Sequence, residues 1–189
     1  MKNDALGGET GSEEILFETK RFTVVRMVEP CTDGSIRQRE VAIHPGSVVI
    51  VPLVSADKVC LIDVVRIAVG ETLVELPAGT LDRVESLADA AARELTEETG
   101  YRAGKITAAG SFWMSPGILR ERMHVFVAED LEPGPQALEP GERITTRVVP
   151  LDEAVAMCLD GTIHDAKTVA ALLLISRRRQ LEHAAAARL

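Results

Sequence analysis

Glu94, Glu97 and Glu98 stand where an ordinary helix would not keep three carboxylates. At about 100° per residue from Leu87, the apolar stripe Leu87, Ala90, Ala91 runs on into Glu94 and Glu98, with Glu97 at its edge. A carboxylate facing a core loses hydration, and in the last helical turn the negative end of the helix dipole opposes it further. Arg93 is the only cation in 87–99 and pairs most readily with Glu97 at i+4, which leaves at least two acids without an arginine. Acids so placed most economically hold a hard divalent cation, Mg2+ or Mn2+, through oxygen ligands. Two or more such ions polarise phosphoryl oxygens, lower the pKa of a bound water and neutralise charge on a leaving phosphate, which is the chemistry of water attack on phosphorus. No serine or cysteine stands in a nucleophile-elbow sequence and there is no P-loop, so no covalent apparatus competes with that reading.

The elements around these acids follow from local signals. Ser86 with Asp89 three residues on is a capping-box start, and Gly100 after Thr99 is a helix stop. Leu76-Pro77-Ala78-Gly79 closes an apolar run and turns through a glycine, so strand, loop and helix follow in order and the loop carbonyls lie near the carboxylates. The continuous β-branched run 46–54 predicts a strand buried on both faces, and Asp57-Lys58 turns the chain into another at 59–66. Segments 15–28 and 36–44 alternate like strands and are joined through Pro30 and the turn pair Asp33-Gly34, a hairpin ahead of the core. Further strands are expected at 105–114, 123–128 and 143–149, and amphipathic helices at 152–159 and 166–178. Mixed strands with helices on both sides make an α/β/α sandwich with a mixed sheet plus an N-terminal β-hairpin.

Length and composition agree with this. The 189 residues, 46% of them hydrophobic, suit one domain with a sizeable core. The division expected is 1–45 as tail and dimerising hairpin, 46–180 as the catalytic domain and 181–189 as a C-terminal tail containing the alanine run 184–187. A net charge of −8 argues against nucleic acid or an anionic membrane as partner, and a polyphosphate substrate would need metal ions to screen the repulsion. Cys31, Cys60 and Cys158 are odd in number, widely spaced and set among apolar neighbours, as reduced core thiols of a cytoplasmic protein are. The polar stretch 1–14 lacks the apolar core of a signal peptide, and the runs 48–54 and 169–175 are too short to span a bilayer. Arg177, Arg178 and Arg179 read as a solvated cluster complementing the dipole at the end of a helix.

Gly79, Glu85, Arg93-Glu94-Leu95, Glu97-Glu98 and Gly100-Tyr101 together resemble the complete Nudix box, with no fixed position departing from the pattern. The resemblance runs over roughly 39–175. Glu40 to Gly46, Glu75 to Gly79, Ser115-Pro116-Gly117 and Pro150 to Ala154 are similar to the ADP-ribose and ADP-sugar pyrophosphatases of that family. Pro116, sixteen residues after Gly100, is the placement associated there with ADP-ribose. One departure stands out: relatives end the strand before the box in a Gln-Tyr-Arg-like segment followed by proline, whereas here Asp63-Val-Val-Arg66-Ile67-Ala68 keeps only the arginine. Phe17, Phe22 and Trp113 are then the rings available for a nucleobase, each also a candidate core residue.

The resemblance implies hydrolysis of a nucleoside diphosphate linked to another moiety, here ADP-ribose or a related ADP-sugar, to AMP and a sugar phosphate. GDP-mannose, a dinucleoside polyphosphate or coenzyme A would be the alternative substrates of the same chemistry. A domain that senses ADP-ribose without cleaving it would tend to carry a damaged box, and this box is whole. By position, the resemblance makes Glu94, Glu98 and the Ala78 carbonyl metal ligands, with Glu97 a further ligand or catalytic group. Arg93 and Glu85 would orient the ligands, and Gly79 and Gly100 would shape the box. Arg66, Glu121, Pro116 and Phe17 fall to substrate binding. The general base is sought outside the box, because a metal-bound glutamate is a poor base. The Pro/Gly-rich segment 132–142 ends in Glu139 and Glu142, and the resemblance puts Glu142 at the loop-glutamate position, with Glu139 and then Glu97 as fallbacks. Related enzymes also pair as homodimers through the N-terminal strands.

Overall fold

The computed structural model describes residues 13–186. Its chain forms two compact units, one up to Pro45 together with Trp113–Glu121, the other Gly46–Phe112 with the chain from Arg122 onward.

In the first unit β1 (Glu13–Glu18), β2 (Thr23–Pro30) and β3 (Ile36–Ile43) make an antiparallel meander. The segment 15–28, expected as one strand, is broken in two. The Thr19 hydroxyl accepts the amides of Arg21 (3.1 Å) and Phe22 (3.0 Å), which folds the chain back between β1 and β2. The hairpin is therefore three-stranded. The Asp33-Gly34 turn forms as expected: Gly34 has φ 82°, and Asp33 Oδ1 accepts the Ser35 amide at 2.9 Å. Ala42 and Ile43 of β3 pair in parallel with Leu119 and Arg120.

The second unit is built around β4 (Ser47–Ser55), whose Val48 to Val51 are wholly buried. β4 runs parallel to β9 (Leu119–Glu132) along 47–52 and antiparallel to β7 (Ala78–Thr80) on its other edge. Beyond Leu53 it pairs with β5 (Lys58–Arg66), and β5 pairs antiparallel with both β6 (Glu71–Glu75) and β10 (Ile144–Pro150). β8 (Arg102–Ser115) pairs with β9. The sheet is mixed, as expected. Val48 and Ile50 share a core with Ala90, Ala91 and Leu95 of α1 (Leu87–Thr99) and with Phe126 and Ala128 of β9. Residues alternate in a strand, so Val49 and Val51 point to the opposite face, the one left for α3 (Ala166–Ala186), which also packs on β4. α2 (Leu151–Leu159) packs beside α3, and the result is the α/β/α arrangement.

Three differences from the sequence reading have physical causes. α3 runs on to Ala186, through residues expected to be tail, because 179–186 holds no glycine or proline and ends in alanines. Arg177–Arg179 consequently lie inside a helix, with the Arg179 guanidinium donating to the Ala56 carbonyl. Ala78–Thr80, read as a turn, is a short strand because its backbone completes the edge of β4. Of the cysteines only Cys60 is buried, and burial pushes its thiol up to about 11.

Candidate active site

The sequence starts and stops α1 where expected. Ser86 Oγ accepts the Asp89 amide at 3.1 Å, and Gly100 closes the helix at φ 78°. Gly100 is needed for a second reason: a Cβ there would stand 2.2 Å from the Gly134 carbonyl oxygen. Segment 134–137 lies against this helix end. The Ala137 amide donates to the Glu97 carbonyl at 2.9 Å, and the Gln136 side-chain amide donates to the Glu98 carbonyl. Two of the carbonyls that a helix terminus leaves open are thus taken by the loop that goes on to carry Glu139 and Glu142.

The buried face of α1 holds Ala90, Ala91, Leu95, Glu98 and Thr99. Glu98 lies inside, as its place on the stripe requires, whereas Leu87, which begins that stripe, is 37% exposed at the helix start. Glu98 Oε2 accepts the Ala78 amide at 2.8 Å, and among the described residues no cationic side chain pairs with it. Burial pushes its pKa up to about 8. The Ala78 amide opposes that, the charges of Glu94 and Glu142 add to it, and Arg66 opposes it more weakly. Glu94 is raised as well, by burial first, with Arg93 opposing and Glu97 and Glu142 adding. Glu94 also lies against the loop so closely that a Cβ on Gly79 would fall 1.8 Å from its Cδ. A side chain there would have to push the Glu94 carboxylate aside.

Arg93 does more than pair with Glu97. Its Nη2 meets Glu85 at 2.6 Å, and its Nη1 bridges Glu94 (2.6 Å) and Glu97 (2.9 Å). Hydrogen bonding to Glu85, which outweighs burial, raises its pKa, and Glu94 and Glu97 add to the effect. The expectation of one partner is therefore corrected to three, and Glu98 is the box glutamate left without an arginine. Arg83, which the sequence reading passed over, lies 3.7 Å from Glu97 and 3.5 Å from Glu139. Glu142 Oε2 accepts the Glu139 amide at 2.8 Å within a turn where Gly141 has φ 98°. The charge of Glu142 adds to the rise at both Glu94 and Glu98.

Arg66, at the end of β5, forms two parallel bonds to Glu75 (2.7 Å each). Phe17, Pro116 and Glu121 belong to the first unit. There Pro116 occupies the turn closed by the Ile118 amide on the Ser115 carbonyl (3.0 Å), and Glu121 lies 3.4 Å from His44. Phe17, Phe22 and Trp113 are all exposed, so none of the three is a core ring.

As the side chains stand, no three His, Cys, Asp or Glu groups among the described residues converge on one metal-sized point, and Arg93 holds both Glu94 and Glu97. The donor set still fits a hard divalent cation. It is all oxygen, it contains a buried carboxylate with no cation of its own, and Gly79 leaves a cradle at Glu94 that any side chain would fill.

A family model for the NUDIX domain matches residues 43–172, and the chain belongs to the Nudix family, enzymes that hydrolyse nucleoside diphosphate derivatives and generally depend on a divalent metal. An ADP-ribose pyrophosphatase of Bacillus subtilis is 31% identical over 94% of this chain and 97% of its own. ADP compounds hydrolase NudE of Escherichia coli is 33% identical over 86% and 88%. A solved structure of an ADP compounds hydrolase superposes with TM-score 0.80 at 26% identity, covering 90% of this chain and 93% of that one.

Proposed function

We propose that this protein hydrolyses the pyrophosphate of ADP-ribose, or of a closely related ADP-sugar, to AMP and a sugar phosphate by attack of water on phosphorus. The observation that carries the reading is geometric: Glu98 is buried on the Ala78 amide with no cationic partner among the described residues, beside a Glu94 that Arg93 and Glu85 hold in place, and the loop leading to Glu142 is pinned to the end of the same helix. Glu94, Glu98 and the Ala78 carbonyl would hold Mg2+ or Mn2+, two or more ions, with Glu97 as a further ligand. Bound there, the metal would supply Lewis acidity toward the phosphoryl oxygens and a more acidic water.

The chain's own residues do the rest. Arg93 and Glu85 fix the direction of the Glu94 and Glu97 carboxylates, and Gly79 lets the loop close on Glu94. Glu142 accepts the proton of the attacking water, with Glu139 and then Glu97 next in line. Arg66, with Phe17, Pro116 and Glu121, serves the nucleotide sugar. Residues 1–45 serve pairing of two copies, in keeping with the exposed Ile15, Phe17 and Ile36, while 46–180 carry the reaction. Three free cysteines suit the reducing cytoplasm. No helix of the described residues is long and apolar enough to cross a membrane.

A competitive assay over ADP-ribose, GDP-mannose, a dinucleoside polyphosphate and coenzyme A tests the substrate. ADP-ribose is expected to give the highest kcat/KM, and equal turnover of GDP-mannose would remove the preference.

A further inference from the structure

Glu75 is wholly buried on β6, a position where a carboxylate needs a reason. Its partners are Arg66, through two parallel bonds, and Lys167 near the start of α3, whose ammonium contacts Glu75 Oε2. Lys167 is itself buried and lies 3.0 Å from Asp165 Oδ2. Asp165 accepts the Thr168 amide (3.0 Å) and hydroxyl (2.6 Å), and the Thr168 hydroxyl accepts the Leu76 amide at 2.9 Å. Two acids and two bases balance. Taking Glu75 and Lys167 out of water is costly, and apolar replacements of such groups are often as stable, so stability alone is a weak reason for them.

The geometry offers a better one. The paired bonds from Nε and Nη2 fix the plane of the Arg66 guanidinium, a side chain that stays 41% exposed, and leave Nη1 with no partner among the described residues. Glu75, which anchors Arg66, stands three residues before Ala78, whose amide donates to Glu98 at 2.8 Å, so Arg66 is held on the approach to the carboxylate site, in keeping with the mutual effect of the Arg66 and Glu98 charges. We propose that Lys167 is a positioning residue: held between Glu75 and Asp165, it keeps Glu75 where that carboxylate presents the free edge of Arg66 to the substrate diphosphate. The inference rests on the reading of Arg66 as a substrate contact.

The test is a mutant cycle on the full chain, reading KM and kcat for ADP-ribose, together with calorimetric binding of ADP-ribose to the metal-free protein. Arg66→Ala should raise KM by about 10- to 100-fold with little change in kcat, the scale of a lost charge-assisted bond. Lys167→Met should raise KM and weaken metal-free binding in the same direction, and should add nothing in the Arg66→Ala background. Lys167→Met with Asp165→Asn removes one charge of each sign and keeps an N-capping side chain, so it should recover Tm while KM stays high. A KM that recovers with Tm would reduce Lys167 to charge balance and overturn the proposal. So would a full further loss on adding Lys167→Met to Arg66→Ala. An unaltered KM in Arg66→Ala would instead remove the reading of Arg66, and the inference with it. Wild-type protein that leaves ADP-ribose intact would show that the substrate assignment is at fault, ending the inference at its first step.

Discussion

Glu98 is uncharged more readily in the folded protein than in the unfolded chain, because burial, and after it Glu94 and Glu142, push its pKa up from 4.5 to about 8. A folded-state pKa above the unfolded value stabilises through the protonated form. The contribution is fully present below about 4.5 and is lost as pH rises through about 8. Metal-free protein should therefore melt at progressively lower temperature across that window. Glu98→Gln, whose amide oxygen can still accept from Ala78, should flatten the slope and leave the fold as stable or more so while abolishing most activity. Thermal melts against pH in chelator check this, and a wild-type Tm with no more slope than that of Glu98→Gln would contradict it. Glu142→Gln should lower kcat by about two to four orders of magnitude, the scale of a lost general base, with metal affinity and KM little changed. Steady-state kinetics with a Mn2+ titration separate the two effects. Normal turnover there with an inactive Glu139→Gln would move the role to Glu139.

Among the elements, β7 and α1 meet closely, since a Cβ on Gly79 would fall on the Glu94 carboxylate where it now stands. Gly79→Ala should push Glu94 aside, weaken Mn2+ binding by at least about tenfold and lower activity in proportion, leaving far-UV circular dichroism unchanged; metal affinity equal to wild type would refute the cradle. Much at this scale was legible in the sequence. The Ser86 cap, the Gly100 stop, the buried run of β4 and the inward Glu98 all follow from local chemistry or periodicity. Other features carry no such mark. The loop is joined to α1 mainly through backbone carbonyls that any residue possesses. The Thr19 turn looks like strand until its hydroxyl is seen to take two amides. No sequence signal marks Lys167 and Glu75 as buried, and the three-dimensional pairing of β5, β6 and α3 explains it.

For the whole molecule, the exposed apolar side chains of the first unit, Ile15, Phe17, Ile36 and Ile118, are the feature that sequence periodicity left open, because alternation fixes which residues share a face but not what covers it. We expect a homodimer, and light scattering at micromolar concentration should return twice the 20.4 kDa chain mass; a monomer there would end that expectation. Fold and family were legible because the box residues are contiguous in sequence. The residues proposed for substrate were less so, since Arg66, Phe17, Pro116 and Glu121 come from distant segments.

The most direct measurement on the central claim is product analysis after incubation with ADP-ribose and Mg2+ in 18O-labelled water. Water attack on phosphorus predicts equal amounts of AMP and ribose phosphate, with a single 18O in the phosphate of one of them. Release of inorganic phosphate without AMP, or products whose phosphates carry no 18O, would contradict it.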